Sequence, residues 1–325
     1  MTPRFEKIAI IGLGLLGASV ARAARRANVV ECIAAASRRR GPMETALAAG
    51  IVDEIGGCEE VVRGADLVIV CSPIGVMAQL LERASPGFRP DALVTDVGSV
   101  KGPLADQIPA ILPEGVEYIG SHPMAGSHER GAEHGRADLF EGAPCVLTPR
   151  VDTKGSSLAR LSDFWQELGA RVVIRTPEEH DVDVAWVSHV PHVVAFAFAH
   201  AFQEAPQRAS ELAGSGFRDF TRIGRSDSEM WSEILNANRK SLAGPLQAFG
   251  QSLAQLGAAL EAGEVETHEE FLAQARQALE RSATPSISSG AQRAPRLEEA
   301  RSGGENPEIS VGMVPANPRS VENDS

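Results

Sequence analysis

Residues Lys7–Gly17 read KIAIIGLGLLG, and this stretch decides the fold. Its first half is a short apolar run, the pattern of a parallel strand covered on both faces. Its second half, Gly12-Leu13-Gly14-Leu15-Leu16-Gly17, is GxGxxG, and Ala18–Arg26 follows with a helical composition. Gly12 permits the tight turn, Gly14 lets the backbone approach a pyrophosphate, and Gly17 lets helix and strand pack closely. The helix N-terminus adds free N–H groups and the positive end of its dipole. Strand, glycine loop and helix together predict a dinucleotide site with Gly12, Gly14, Leu15, Leu16 and Gly17 as its contacts.

Similar apolar runs recur at Cys32–Ala36, Leu67–Cys71, Leu93–Val97, Val116–Gly120, Cys145–Thr148 and Val172–Ile174, with helical stretches between most of them. Such alternation predicts βαβ units. The pattern changes at Thr176-Pro177-Glu178-Glu179, where Thr suits an N-cap, Pro the first helical position and Glu the third. From there to Arg281 the reading is helical, and the strongly apolar Ala185–Phe202 is expected to be buried on most sides. From Ser282 onward Ser, Pro, Gly and charge replace any apolar period, the composition of a disordered segment. The expected class is therefore α/β: an N-terminal Rossmann-type doubly wound parallel sheet (1–176), an all-helical C-terminal substrate and dimerisation domain (177–281), and a disordered tail (282–325). A domain so poor in polar faces predicts a homodimer.

The 325 residues carry a net charge of −12, which argues against nucleic acid or an anionic membrane as the main partner. A small anionic substrate remains compatible, since one local arginine suffices to bind it. Cys32, Cys58, Cys71 and Cys145 have no metal-binding spacing and read as buried thiols of a reducing compartment. The N-terminus runs straight into a strand with no signal-like segment, and no apolar run reaches membrane length, so a cytoplasmic location is expected.

Enzymes that use NAD usually place a carboxylate at the end of the second strand for the ribose 2′-OH. Here Ser37-Arg38-Arg39-Arg40 stands there instead, and guanidinium groups suit a 2′-phosphate. NAD(P)+ is thus the expected cofactor, with a lean to NADP+. In open α/β sheets, ligands gather beyond the carboxyl ends of the strands. Ser72-Pro73, Asp96–Lys101 with Ser99, and Gly120–Gly126 with His122 are expected there. His189 and His192 are three apart and share a helix face, near a kink expected at Pro191. His180, nine residues before His189, falls half a turn out of phase. In GSGFRDFTR, residues 214–222, flexible glycines accompany Asp219 and Arg222, and the arginine could clamp a carboxylate.

The stretches IIGLGLLGAS, TDVGSVKG, GSHPMAGS, DVAWVSHVPHVVA and GSGFRDFTRI, followed by Met230-Trp231, run in order from about residue 7 to 240. Together they resemble the prephenate/arogenate dehydrogenase family of tyrosine biosynthesis. The resemblance implies a cyclohexadienol substrate that gives a hydride to the nicotinamide and loses carbon dioxide on aromatisation, with no metal. It implies His122 as the base and Ser99 as its hydrogen-bonding neighbour. Arg222 is implied for a substrate carboxylate, and His189, His192, Asp219, Trp231 and His180 for other pocket positions. Where many members place an acid, this chain has His128, which favours prephenate over the ammonium-bearing arogenate. Ser215 replaces the middle glycine of the family's usual GGGF. No chorismate mutase or regulatory ACT segment is legible at either end.

Two other readings exist. A β-hydroxyacid dehydrogenase would bring a catalytic lysine from its second domain, yet the only lysine after Lys154 is Lys240, outside any matching motif. A non-catalytic cofactor-binding dimer would have no use for Ser99, His122 and Arg222 together.

Overall fold

The computed structural model describes residues 4–126, 129 and 131–283. His128 and all but the first two residues of the expected tail therefore lie outside the described residues. The chain divides into two compact units, one ending at Glu261 and one beginning at Ala262. The second contains the helix Val265–Ala283; everything that follows concerns the first.

Six parallel strands form the main sheet: β1 (Phe5–Ile11), β2 (Val30–Ala36), β3 (Glu54–Ile55), β4 (Leu67–Val70), β5 (Leu93–Asp96) and β6 (Glu117–Tyr118). Their order is β3-β2-β1-β4-β5-β6, so the winding reverses between β1 and β4. That reversal opens a crevice beyond the carboxyl ends of those two strands. Alternate residues serve opposite faces. Ile8 and Ile10 of β1 enter a core with Phe164 and Trp165 of the helix Gly155–Glu167, while Ala9 and Ile11 enter a core with Met77 and Leu81 of the helix Ile74–Ala84. Burial on both sides is why the strands read as unbroken apolar runs.

The remaining strands depart from the expectation of one long sheet. The run Val116–Gly120 is not a single strand: β6 stops at Tyr118, and β7 (Gly120–Pro123) starts a separate three-stranded sheet with β8 (Pro144–Thr148) and β9 (Arg171–Ile174). β7 pairs antiparallel with β8, and β8 parallel with β9. Ser121 explains the turn-off, because its hydroxyl donates to the Asp96 carbonyl (2.6 Å) and meets Thr95 Oγ1 at 2.7 Å. Side-chain bonds thus hold β7 beside the end of β5, where a backbone ladder would otherwise continue. His122 accordingly stands inside a strand, a correction to its expected place in a loop after the fifth strand. Cys32, Cys58 and Cys71 are half-buried, and Cys145 alone of the four thiols is fully buried.

The helical part starts as the sequence predicts. Thr176 Oγ1 accepts the Glu179 N–H (3.1 Å), and the Thr176 N–H is returned to Glu179 Oε2 (2.9 Å). The helix Pro177–Val184 then passes through a π turn, Ala185–His189, into the helix Val190–Ala201. Pro191 lacks the N–H that an α-helix would send back to residue 187, and the wider turn accommodates that loss where a kink was expected. The stretch Pro177–Glu204 spans 28 residues, long and apolar enough to cross a membrane by those two criteria, which corrects the expectation that no run attains such length. It buries His180, Asp181 and His189, and the Asp181 carboxylate bonds to the backbone of Lys101 and Gly102, so this segment packs on protein. Val190–Ala201 is less covered than expected, with only Val190 and Ala195 fully buried within the single chain.

The glycine loop yields a stability prediction. A Cβ on Gly17 would stand 2.1 Å from the Gly12 carbonyl oxygen, whereas one on Gly14 would meet nothing within 4 Å. Gly17→Ala should cost about 1–3 kcal/mol in urea denaturation. Gly14→Ala should stay within about 0.5 kcal/mol of the parent.

Candidate active site

The crevice floor is set by close backbone approaches. Gly12 has φ +107°, and a Cβ there would lie 2.5 Å from the Cys71 carbonyl oxygen. The loop is held by the Gly12 N–H to the Ala36 carbonyl (2.8 Å) and the Cys71 N–H to the Ile11 carbonyl (2.7 Å). Gly14, extended at the N-cap of the helix Leu15–Ala27, gives no side-chain cap, and no acidic residue occupies the first turn. The N–H groups at that end face a position that a Cβ on Gly14 would leave uncrowded, which suits an anionic pyrophosphate. Half-buried Leu15 and Leu16 form the first turn. Ser72 Oγ donates to the Ile11 carbonyl (3.3 Å), and exposed Pro73 caps the helix Ile74–Ala84. Ser37 is half-buried after β2 and Arg38 and Arg39 are exposed, while Arg40 pairs with Glu44 at 2.8 Å. These residues fit a bound dinucleotide: a turn closed by Gly12 and Gly17, open space beside Gly14, and no carboxylate at the helix end.

Beyond β5 lies a buried polar cluster. Asp96 and Lys101 are both fully buried and form an ion pair. Asp96 also accepts the Gly98 N–H (2.7 Å) and the Tyr118 hydroxyl (2.8 Å). Burial and the Asp96 charge push the Tyr118 phenol well above its ordinary range. These contacts fix the turn that carries half-buried Ser99, and Ser121 ties the same turn to the strand bearing His122.

His122 is 8% exposed, and its Nδ1 lies 2.8 Å from His180 Nε2. His180 Nδ1 in turn lies 2.8 Å from Asp181 Oδ1. His180 therefore faces His122, a position that straight α-helical spacing did not foresee. The π turn resets the phase between His180 and His189, so both help set the electrostatics of His122 from one continuous helical stretch. Burial pushes the His122 imidazole well below its ordinary value, reinforced by His180, Lys101 and His189. Burial also lowers His180, opposed by its bond to Asp181.

A second group lies along the same stretch. His189 is 1% exposed, and burial lowers it to about 4. Its Nδ1 accepts from Asn238 Nδ2 at 3.0 Å, and the Asn238 amide also donates to the Asp181 carbonyl (2.8 Å). Neutral His189 thus keeps its proton on Nε2, which is buried without a hydrogen-bond partner among the described residues. His192 donates from Nδ1 to the Ser188 carbonyl (2.9 Å) and stacks on Trp231 with centroids 3.8 Å apart. Burial lowers His192, and the Arg222 charge adds to that shift. Arg222 and Asp219 are exposed on the helix Ser215–Arg222. The structure thus joins His122, His180 and His189 into one cluster, and His192, Trp231 and Arg222 into its continuation. Among the described residues, Asp219 makes no hydrogen bond or ion pair to either group.

Asp96, Lys101, Tyr118, Asp181 and Asn238 were not singled out by the sequence reading. Asp96 and Lys101 lie inside the TDVGSVKG stretch, and Asp181 stands next to His180, so proximity to a recognised segment was the available signal.

Comparison with known proteins places this geometry in context. Residues 20–174 match the model of the prephenate dehydrogenase nucleotide-binding domain, and residues 176–274 that of its dimerization domain. The cyclohexadienyl dehydrogenase of Zymomonas mobilis is 31% identical over 79% of this chain and 89% of its own length. The prephenate dehydrogenase of Bacillus subtilis is 33% identical over 73% of this chain and 65% of its own length. Among solved structures, the prephenate dehydrogenase of A. aeolicus in complex with hydroxyphenyl propionate and NAD+ superposes with a TM-score of 0.79 at 30% identity, covering 85% of this chain and 98% of that one. The Synechocystis arogenate dehydrogenase superposes at 0.73 with 33% identity, covering 85% and 99%. With a parallel dinucleotide fold, a buried histidine cluster and both family models matched in sequence order, the chain belongs to the prephenate dehydrogenase family of NAD(P)-dependent oxidoreductases.

Proposed function

We propose that this enzyme converts prephenate to 4-hydroxyphenylpyruvate by oxidative decarboxylation in tyrosine biosynthesis, in the cytoplasm, as a homodimer, and with NADP+ preferred over NAD+. The observation that carries the reaction is buried His122, which follows Ser121, the residue whose hydroxyl bonds the Asp96 carbonyl at the carboxyl end of β5. A neutral imidazole held below its ordinary range is unprotonated at physiological pH and can accept a proton.

His122 Nε2 takes the proton of the ring hydroxyl, and Ser99 orients that hydroxyl. The bound nicotinamide supplies the hydride acceptor for the ring carbon that bears it. Cleavage of the bond between ring and carboxylate then releases carbon dioxide, and its electron pair moves through the ring to the new carbonyl oxygen. That oxygen recovers the proton from His122 and becomes the phenol, so the base returns to its starting state. Arg222, beside His192 and Trp231, binds a substrate carboxylate, with Asp219, exposed on the same helix, as a further substrate contact. His189 offers the unsatisfied Nε2–H to a substrate oxygen, since a buried donor left unpaired costs about 1–3 kcal/mol.

The finer choices rest on particular residues. Arg38 and Arg39 at the end of β2 favour a 2′-phosphate. His128 in place of an acid favours the keto acid over the amino acid, and nearby Glu129 lies 3.4 Å from His134. Exposed Trp186, Val187 and Phe198 on the uncovered helical stretch support a second subunit there. An arogenate or dual-specificity cyclohexadienyl dehydrogenase is the alternative, favoured by the likeness to the Zymomonas and Synechocystis proteins.

Rates for prephenate and arogenate, each with NAD+ and NADP+, should be highest for prephenate with NADP+; a clear preference for arogenate or NAD+ overturns that part of the assignment. His122→Ala should lower kcat by about 10²–10⁴-fold with little change in cofactor affinity. Arg222→Ala should raise the prephenate KM, with a smaller effect on kcat. Retention of near-full turnover by His122→Ala would remove it from the base role. The pH profile follows from the sign of the shift. Activity needs neutral His122, and its proton affinity is depressed, so kcat/KM should stay level from about pH 8 down to 6.5 and fall only below that.

A further inference from the structure

We infer that Asp181, acting through His180, fixes the tautomer of His122 so that Nε2 is the nitrogen free to accept a proton; Asp181 and His180 are positioning residues for the base. The inference rests on the reading of His122 as the base and adds what holds it in the working form.

The argument runs from hydrogen-bond direction. Asp181 Oδ1 accepts the Lys101 N–H at 2.8 Å, and Oδ2 accepts the Gly102 N–H at 2.9 Å. Backbone N–H groups can only donate, so both oxygens are committed as acceptors. The third contact, Oδ1 to His180 Nδ1 at 2.8 Å, therefore has the imidazole donating. His180 is 1% exposed, which disfavours a second proton, so its Nε2 carries a lone pair. That lone pair meets His122 Nδ1 at 2.8 Å, so Nδ1 bears the hydrogen and donates. Neutral His122 then has its own lone pair on Nε2 alone. Each direction forces the next, from two peptide N–H groups to the catalytic nitrogen. The logic is that of a base oriented by a third group.

The same geometry separates His180 from a direct substrate contact. Both of its ring nitrogens are already engaged, one by Asp181 and one by His122. Loss of His180 should consequently act on turnover, with substrate affinity little changed. When His122 gains its second proton, the bond from Nδ1 to His180 persists, and the Asp181 carboxylate beyond it favours the new positive charge.

The test uses NAD(P)+-bound full-length enzyme with histidine labelled by 15N, and steady-state kinetics with prephenate. In the parent, the His122 resonances, assigned by their loss in His122→Ala, should show a protonated Nδ1 and an unprotonated Nε2. His180→Leu leaves the Asp181 bonds to Lys101 and Gly102 in place, which keeps the fold. It should mix the two His122 tautomers and lower kcat by about 10²-fold with KM within about 3-fold. His180→Gln, whose amide can accept from His122 and donate to Asp181, should recover kcat to within about tenfold of the parent. A hydrogen on Nε2 of His122 in the parent overturns the inference. So does His180→Leu with parental kcat, or with its whole effect on KM. If His122→Ala itself keeps its turnover, the underlying reading of the base fails; if only the His180 variants are silent, the base stands and the relay falls.

Discussion

The fully buried ion pair of Asp96 and Lys101 is the interaction on which the site depends. Two charges removed from water are tolerated only when further hydrogen bonds complete them, and Asp96 has three others, from Gly98, from Tyr118 and, at its carbonyl, from Ser121. The pair thereby fixes the turn after β5, holds β7 against that turn, and points the Lys101 and Gly102 N–H groups at Asp181. Loss of one partner of such a pair typically costs about 3–5 kcal/mol, because the other charge is stranded. One electrostatic anchor thus connects the end of the parallel sheet, the strand of His122 and the first helix of the helical part.

The second constraint is dryness. Burial is the leading cause of lowered proton affinity in all four histidines around the site: His122, His180, His189 and His192. An imidazole in water would be partly charged near neutrality, and several charged rings packed together would repel. Neutral rings can pack closely: His122 and His180 share one hydrogen bond, while His189 and His192 bond to Asn238 and to the Ser188 carbonyl. The Lys101 charge assists, since it opposes protonation of His122 while being neutralised in its other direction by Asp96.

The fold was largely legible because its signals are local. The glycine spacing of residues 12–17 and the doubly apolar strands announce a parallel sheet, and the capping box at Thr176 marks the start of the helical part. The site was legible in part, through segments that resemble a family and through strand ends. What escaped depends on geometry that no short pattern encodes. The two-residue strand β3 is too short for periodicity. The departure of β7 rests on the Ser121 hydroxyl and not on an apolar pattern. His180 was judged by the spacing of a straight helix, and the π turn invalidated that spacing. Asp181 reads as an ordinary acid in a helix's first turns until its partners, 80 and 79 residues away in sequence, are known.

The π turn at Ala185–His189 has a consequence for how this enzyme can vary. It sits between the half of the stretch that carries His180 and Asp181 and the half that bears His192 against Trp231. A widened turn decouples rotation of one half from the other, as a joint in a rod lets each segment be aimed separately. Changes that re-aim the half with His192 can then accumulate without twisting the half with His180 out of line. A chain of this architecture can repack around Trp231 while the contacts from His122 through His180 to Asp181 stay put.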